Sequence, residues 1–187
     1  MKAFDIDGPL LISPRVHRDD RGYFLEAWRR DQYRQLGLDV DFVQVNSSRS
    51  RFGTLRGLHF QRQPHAQGKL VSVVRGRVVD VAVDLREGSP TFGRHVKAVL
   101  DDESHARLWV PRGFAHGFLA ISEDADVVYQ VDGLHAPAAE GGVRWDDPDL
   151  GVAWELERYL GEARPLVSPR DAALPLLSEG FQALGAD

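Results

Sequence analysis

Lys69-Leu70-Val71-Ser72-Val73-Val74-Arg75-Gly76-Arg77-Val78-Val79-Asp80-Val81-Ala82-Val83-Asp84-Leu85-Arg86 is the stretch that decides the fold. Its second half alternates strictly. Arg77, Val79, Val81, Val83 and Leu85 share one face, against Val78, Asp80, Ala82, Asp84 and Arg86 on the other. Period two with valine enrichment predicts strands, with the odd face packed inward. Arg75-Gly76 predicts a β-hairpin turn between them, and Gly88-Ser89-Pro90 ends the run.

Further strands are expected at residues 94–100, 106–111, 116–121 and 126–131, and Phe42 to Asn46 also alternates. Residues 1–28 read as strand, turn, strand, turning at Arg18-Asp19-Asp20-Arg21-Gly22. Arg29 to Gly37 predicts a short helix stopped by glycine. From Pro137 the pattern weakens, so a long irregular segment wrapping the barrel, with a short helix at 171–178, is expected. Short, evenly spaced strands favour an all-β jelly roll or sandwich over an α/β fold.

The 187 residues suit one domain with a core that needs no crosslinks. With 18 Gly and 10 Pro the chain has turn residues to spare. Its 23 basic and 28 acidic residues leave a net charge of -5, which offers nucleic acid no bulk attraction. A local cluster of cations remains compatible with an anionic ligand. The absence of cysteine removes disulfides, thiolate nucleophiles and thiolate–metal sites. No stretch reaches the ~20 apolar residues that span a bilayer. Met1-Lys2-Ala3-Phe4-Asp5 lacks the apolar run of a signal peptide, so a cytoplasmic location is expected.

Two histidines stand out, in Arg56-Gly57-Leu58-His59-Phe60-Gln61 and Pro111-Arg112-Gly113-Phe114-Ala115-His116-Gly117. Both are expected at the barrel mouth. Imidazole carries protons near neutral pH, provided an acceptor orients its second nitrogen. Asp171, Asp80 and Asp84 are the candidates for that acceptor. The second segment is similar to the second metal motif of cupin barrels. The first cupin motif is not matched, because Gln61 stands where a second histidine would and no carboxylate follows within seven residues. Two histidines make a poor site for a divalent ion. No metal is therefore expected. Arg21, Arg56, Lys69 and His116 form a candidate phosphate-binding set. Tyr129 alternates with Val127 and Val131, as a core aromatic would.

The chain resembles the dTDP-4-dehydrorhamnose 3,5-epimerase family. Among the segments that carry the resemblance are Asp20-Arg21-Gly22-Tyr23-Phe24-Leu25-Glu26, Gln44-Val45-Asn46-Ser47-Ser48-Arg49-Ser50 and Gly53 through Gln61. Others are Gln67-Gly68-Lys69-Leu70-Val71, Gly113-Phe114-Ala115-His116-Gly117-Phe118, Trp145-Asp146-Asp147-Pro148 and Ser168-Pro169-Arg170-Asp171. They run in order along nearly the whole chain. The resemblance implies a cupin-type jelly-roll barrel with short peripheral helices over residues 1–187, a homodimer, and no cofactor. It implies a nucleotide-diphosphate sugar as substrate, inverted at C3 and C5.

By the same resemblance His59 is the general base, Asp171 its carboxylate partner, Tyr129 the opposing acid and Lys69 the enolate-steadying cation. Gln44, Asn46, Arg56, His116, His135 and Arg170 match substrate contacts. Arg21, Phe24 and Glu26 match positions reaching the nucleotide base from the neighbouring subunit. One departure bears on specificity: Leu134 and His135 stand where the family typically has two aromatics. A C3-only or C5-only epimerase, or one acting on another nucleotide-linked 4-keto sugar, is the alternative.

Overall fold

Two six-stranded sheets face each other in the computed structural model, which describes residues 1–179 together with Phe181 and Leu184. The first carries β1 (Lys2–Ala3), β2 (Leu10–Ile12), β10 (Arg107–Val110), β7 (Lys69–Arg75), β12 (Asp124–Val131) and β5 (Gln44–Arg51), in that spatial order. The second runs β13 (Glu140–Gly142), β6 (Thr54–Gln61), β11 (Phe114–Ala120), β8 (Arg77–Asp84) and β9 (His95–Asp101), with β14 (Leu166–Val167) parallel to β6. A separate two-strand arm, β3 (Val16–Asp19) and β4 (Gly22–Leu25), turns at Asp20-Arg21. Helices are short and peripheral: α1 (Arg30–Gln35), α2 (Leu156–Leu160) and α3 (Pro169–Ala172). This is the cupin-type jelly roll expected from the strand pattern and the resemblance.

Three buried clusters explain the layers. Val71, Val73, Val78, Ala82, Leu108 and Val127, from both sheets, fill the space between them. Leu55, Leu58, Val79, Val81 and Val83 lie on the outer face of the second sheet, where Leu150, Trp154, Leu160 and Leu184 cover them. Tyr33 and Leu38, around α1, cover Leu70 and Trp109 on the outer face of the first.

Three expectations change. The odd residues of β8 do not face the barrel interior; the even ones do, and both faces are buried because the C-terminal segment roofs the sheet. Arg75-Gly76 is not a hairpin turn. β7 pairs with β10 and β12, β8 with β11 and β9, so the glycine marks a corner between sheets. A Cβ on Gly76 would lie 2.0 Å from Asp124 O, so only glycine fits there. The helix expected at 171–178 begins earlier and is shorter, because Ser168 caps it and Pro169 occupies its first turn.

Candidate functional site

A bulge aims the first histidine. In β6, His59 faces His116 of β11, whereas Phe118 faces Arg56; two steps on one strand match three on the other. Leu55 and Leu58 consequently lie on the same outer cluster although three residues apart. The phase of the strand thus changes at Gly57, and His59 turns toward the space between the sheets. Glycine is required at that point: its φ is +128°, and a Cβ would sit 2.6 Å from Gly117 Cα.

The acceptor for His59 is Asp171. His59 Nε2 and Asp171 Oδ1 are 2.8 Å apart, and the Gly57 N–H donates to Asp171 Oδ2 at 3.3 Å. Local sequence makes this pairing possible. Ser168 Oγ accepts the Asp171 N–H at 3.0 Å, which fixes the backbone of α3 and leaves the Asp171 carboxylate free to reach β6. The other two candidates serve elsewhere. Asp80 Oδ1 lies 2.8 Å from His116 Nε2, and Asp84 accepts from Arg86, Ser89 and Thr91.

One cavity, of about 290 Å³, gathers the remaining groups. The second sheet and its flank supply His59, Phe60, Gln61, Glu140 and Gly141; the first sheet supplies Gln44, Asn46, Lys69 and Tyr129; Gln67, His135 and Arg170 complete it. His59 and Tyr129 therefore face one space from opposite sheets. Lys69 Nζ donates to the His59 carbonyl at 3.4 Å. Burial pushes the Lys69 ammonium down to about 8, against the opposing pull of Asp80 and Glu140. Among the described residues Asp80 Oδ2 is buried without a hydrogen-bond partner, and its carboxylate acts on the ammonium through space. Burial also lowers the His59 imidazole, with Asp171 working the other way, and raises the Tyr129 phenol above its ordinary value. At neutral pH these directions leave a neutral base, a charged lysine and a protonated phenol around one space.

Several expected residues lie apart from this cavity. His116 is only 7% exposed and sits against Asp80 rather than on the cavity wall. Arg56 bonds Ser50 Oγ and the Arg49 carbonyl on the surface. Arg21, its side chain 90% exposed, pairs with Asp19 on the arm. Phe24, 70% exposed, and Glu26 line a groove between the arm and α1. Within the chain, the suggested phosphate set of Arg21, Arg56, Lys69 and His116 is thus not one cluster. Among the described residues, no group of three or more His, Asp or Glu side chains is arranged to hold a metal ion.

One residue of the cavity, Glu140, was not among those expected from the sequence. Glu140 pairs with both His135 and Arg170, in a segment where no periodicity pointed to it. Gln44, Gln61 and Gln67 tie down the segment after β12: Gln44 Oε1 accepts from the His135 N–H, Gln61 Oε1 from the Ala136 N–H, and Gln67 donates to the Gly133 carbonyl. Leu134 points to solvent, and His135 alone of that replaced pair lines the cavity.

Comparison with known proteins agrees with this fold. The family model described as dTDP-4-dehydrorhamnose 3,5-epimerase matches residues 3–179. A dTDP-4-dehydrorhamnose 3,5-epimerase of Methanothermobacter thermautotrophicus is 49% identical, over 81% of this chain and 82% of its own. The crystal structure of the Legionella pneumophila dTDP-6-deoxy-D-glucose-3,5-epimerase, in complex with dTDP-4-keto-L-rhamnose, is 45% identical with a TM-score of 0.88, covering 94% of this chain and 91% of that one. A 3'-monoepimerase from Streptomyces bikiniensis, in complex with dTDP-quinovose, is 38% identical with a TM-score of 0.87, covering 95% and 88%. With a matching model over almost its whole length and relatives this similar, the chain belongs to the dTDP-4-dehydrorhamnose 3,5-epimerase family.

Proposed function

We propose that this protein inverts C3 and C5 of dTDP-4-keto-6-deoxy-D-glucose, giving dTDP-4-keto-L-rhamnose. The observation that carries the reading is the presence of His59 and Tyr129 on opposite walls of one cavity, with Lys69, on the strand beside that of Tyr129, reaching the His59 carbonyl. The C4 ketone acidifies the hydrogens on C3 and C5, since either carbanion delocalises onto the carbonyl oxygen. His59, held by Asp171, takes such a proton, and the electron pair of the C–H bond moves onto that oxygen. The Lys69 ammonium stabilises the resulting enolate. Tyr129 then delivers its phenolic proton to the opposite face of the same carbon, which inverts it. Loss of the proton from His59 to solvent and reprotonation of Tyr129 return the site to its starting state.

Gln44, Asn46, His135 and Arg170 contact the substrate in this reading, which their lining of the cavity supports. Arg56 and His116, which stand outside the cavity wall, are the substrate contacts that the cavity's lining does not support. Arg21, Phe24 and Glu26 contribute from the neighbouring copy of a homodimer; exposed apolar side chains on the β3–β4 arm support that role. The reading takes residues 1–187 as one barrel domain with its extensions packed on it, working in the cytoplasm without a cofactor.

Incubation with the 4-keto sugar nucleotide in D₂O tests the proposal. Deuterium should enter at both C3 and C5, and His59→Ala should abolish both exchanges. Tyr129→Phe should permit exchange but impair inversion. No exchange by the native protein would overturn the activity. A single-centre epimerase is favoured by one specific observation, the polar His135 on the cavity wall, and by the structural likeness to a 3'-monoepimerase. Deuterium at only one carbon would establish it instead.

A further inference from the structure

The cavity rim holds a charge pair that the proton transfers leave unused. Glu140, on β13, is engaged from two sides: its Oε1 lies 2.8 Å from His135 Nε2, and its Oε2 accepts from Arg170 Nη2. All three side chains line the same cavity as His59 and Tyr129. The backbone on either side of the imidazole is held independently of Glu140. Gln44 on β5 takes the His135 N–H at 3.0 Å, and Gln61 on β6 takes the Ala136 N–H at 2.8 Å. Gln61 also donates to the Leu134 carbonyl. This strap across the mouth turns Leu134, 66% exposed, outward and His135 inward.

The chemistry of the pair fixes which nitrogen is free. Hydrogen bonds from Arg170, then from His135, hold the Glu140 carboxyl below its ordinary range. An ionised carboxylate only accepts hydrogen bonds, so His135 Nε2 must carry the proton. In the neutral imidazole, Nδ1 is then a pure acceptor. We propose that Glu140 is a positioning residue that sets the tautomer of His135, so that His135 Nδ1 accepts a hydrogen bond from a hydroxyl of the bound sugar and discriminates for it. The inference rests on the nucleotide-sugar reading of the cavity. A site that hydrogen-bonds a hydroxyl rejects an analogue without it far better than an apolar wall does.

Two-bond ¹H–¹⁵N spectra of the imidazole-labelled protein provide the test, with dTDP and dTDP-D-glucose as probes and His135→Phe to assign the resonances. The free protein should show His135 as the Nε2–H tautomer. Its Nδ1 resonance should move upfield with dTDP-D-glucose and stay in place with dTDP. Glu140→Gln should mix the tautomers and raise KM about five- to tenfold, the size of one hydrogen bond, with a much smaller effect on kcat at a pH well below the Lys69 limb. An Nδ1–H tautomer in the native protein, or the same response to both probes, overturns the inference alone. Failure of both probes to bind overturns the nucleotide-sugar reading and this inference with it.

Discussion

At the scale of single residues, the site is a set of charge states chosen by burial. Desolvation lowers the His59 imidazole from its ordinary 6.5, against the pull of Asp171, and lowers Lys69 to about 8. As a base, His59 works when neutral, so activity should rise with pH through a midpoint below 6.5. As a cation, Lys69 works when protonated, so activity should fall again through about 8. The profile of kcat/KM should therefore be a bell whose alkaline limb belongs to lysine. Lys69→Met should cost about a hundredfold or more in kcat/KM, as other oxyanion-stabilising donors do. It should also remove that limb, leaving only the phenol of Tyr129, which burial raises above 10. An alkaline limb unchanged in Lys69→Met would take the lysine out of the enolate step. Residue types at this scale were legible: His59, Lys69, Tyr129 and Asp171 were each identified from the sequence. The choice of Asp171 over Asp80 and Asp84 was not legible from the residues alone, because it depends on which strand lies beside which.

At the scale of elements, two features stand out, and the first holds the site. The bulge in β6 turns His59 inward, and Gly57 makes the close approach of β6 to β11 possible. Gly57→Ala would place a Cβ 2.6 Å from backbone at a φ of +128°. It should destabilise the fold by about 3 kcal/mol or more in denaturant titration. A loss below about 0.5 kcal/mol would show that the bulge can relax. The second feature is the turn after β8. Asp84, its side chain fully buried, meets a desolvation penalty that hydrogen bonds from Arg86, Ser89 and Thr91 overcome, bringing its pKa to about 2. Because this carboxyl is depressed in the folded state, its stabilisation is present above about pH 4 and is lost as pH falls toward 2. Asp84→Asn should remove about 2 kcal/mol at neutral pH and flatten the acid side of the stability curve over that window. An unchanged acid limb in thermal unfolding would assign the acid sensitivity to other groups. Most strand positions were readable from period two, but β6, which bears His59, was not among them. The bulge was not readable either, since alternation places His59 on the same face as Leu55 until the register is known.

At the scale of the whole molecule, the β3–β4 arm keeps apolar surface exposed beyond its contacts with His105 and Glu103. Tyr23 and Phe24 are exposed on it, and Arg21 pairs with its neighbour Asp19. The homodimer reading makes a direct prediction. The protein should sediment at twice its 20.9 kDa chain mass. Mixing inactive His59→Ala with a variant carrying Arg21→Ala and Phe24→Ala should restore activity that neither has alone, because a mixed dimer contains one complete site. A monomer, or no recovery on mixing, would confine the site to one chain. Across the molecule, the sequence by itself determined most of the strands, the all-β class, the family and the residue types proposed to carry the chemistry. These follow from local alternation and from motifs that lie along the chain. Tertiary structure alone decided that both faces of β8 are buried, that Gly76 is a corner rather than a hairpin, and that Glu140 belongs to the site. It also decided which carboxylate serves His59, a partner 112 residues away. Period two says that a strand has two faces, but which face is covered, and by what, is set by the layers that pack against it.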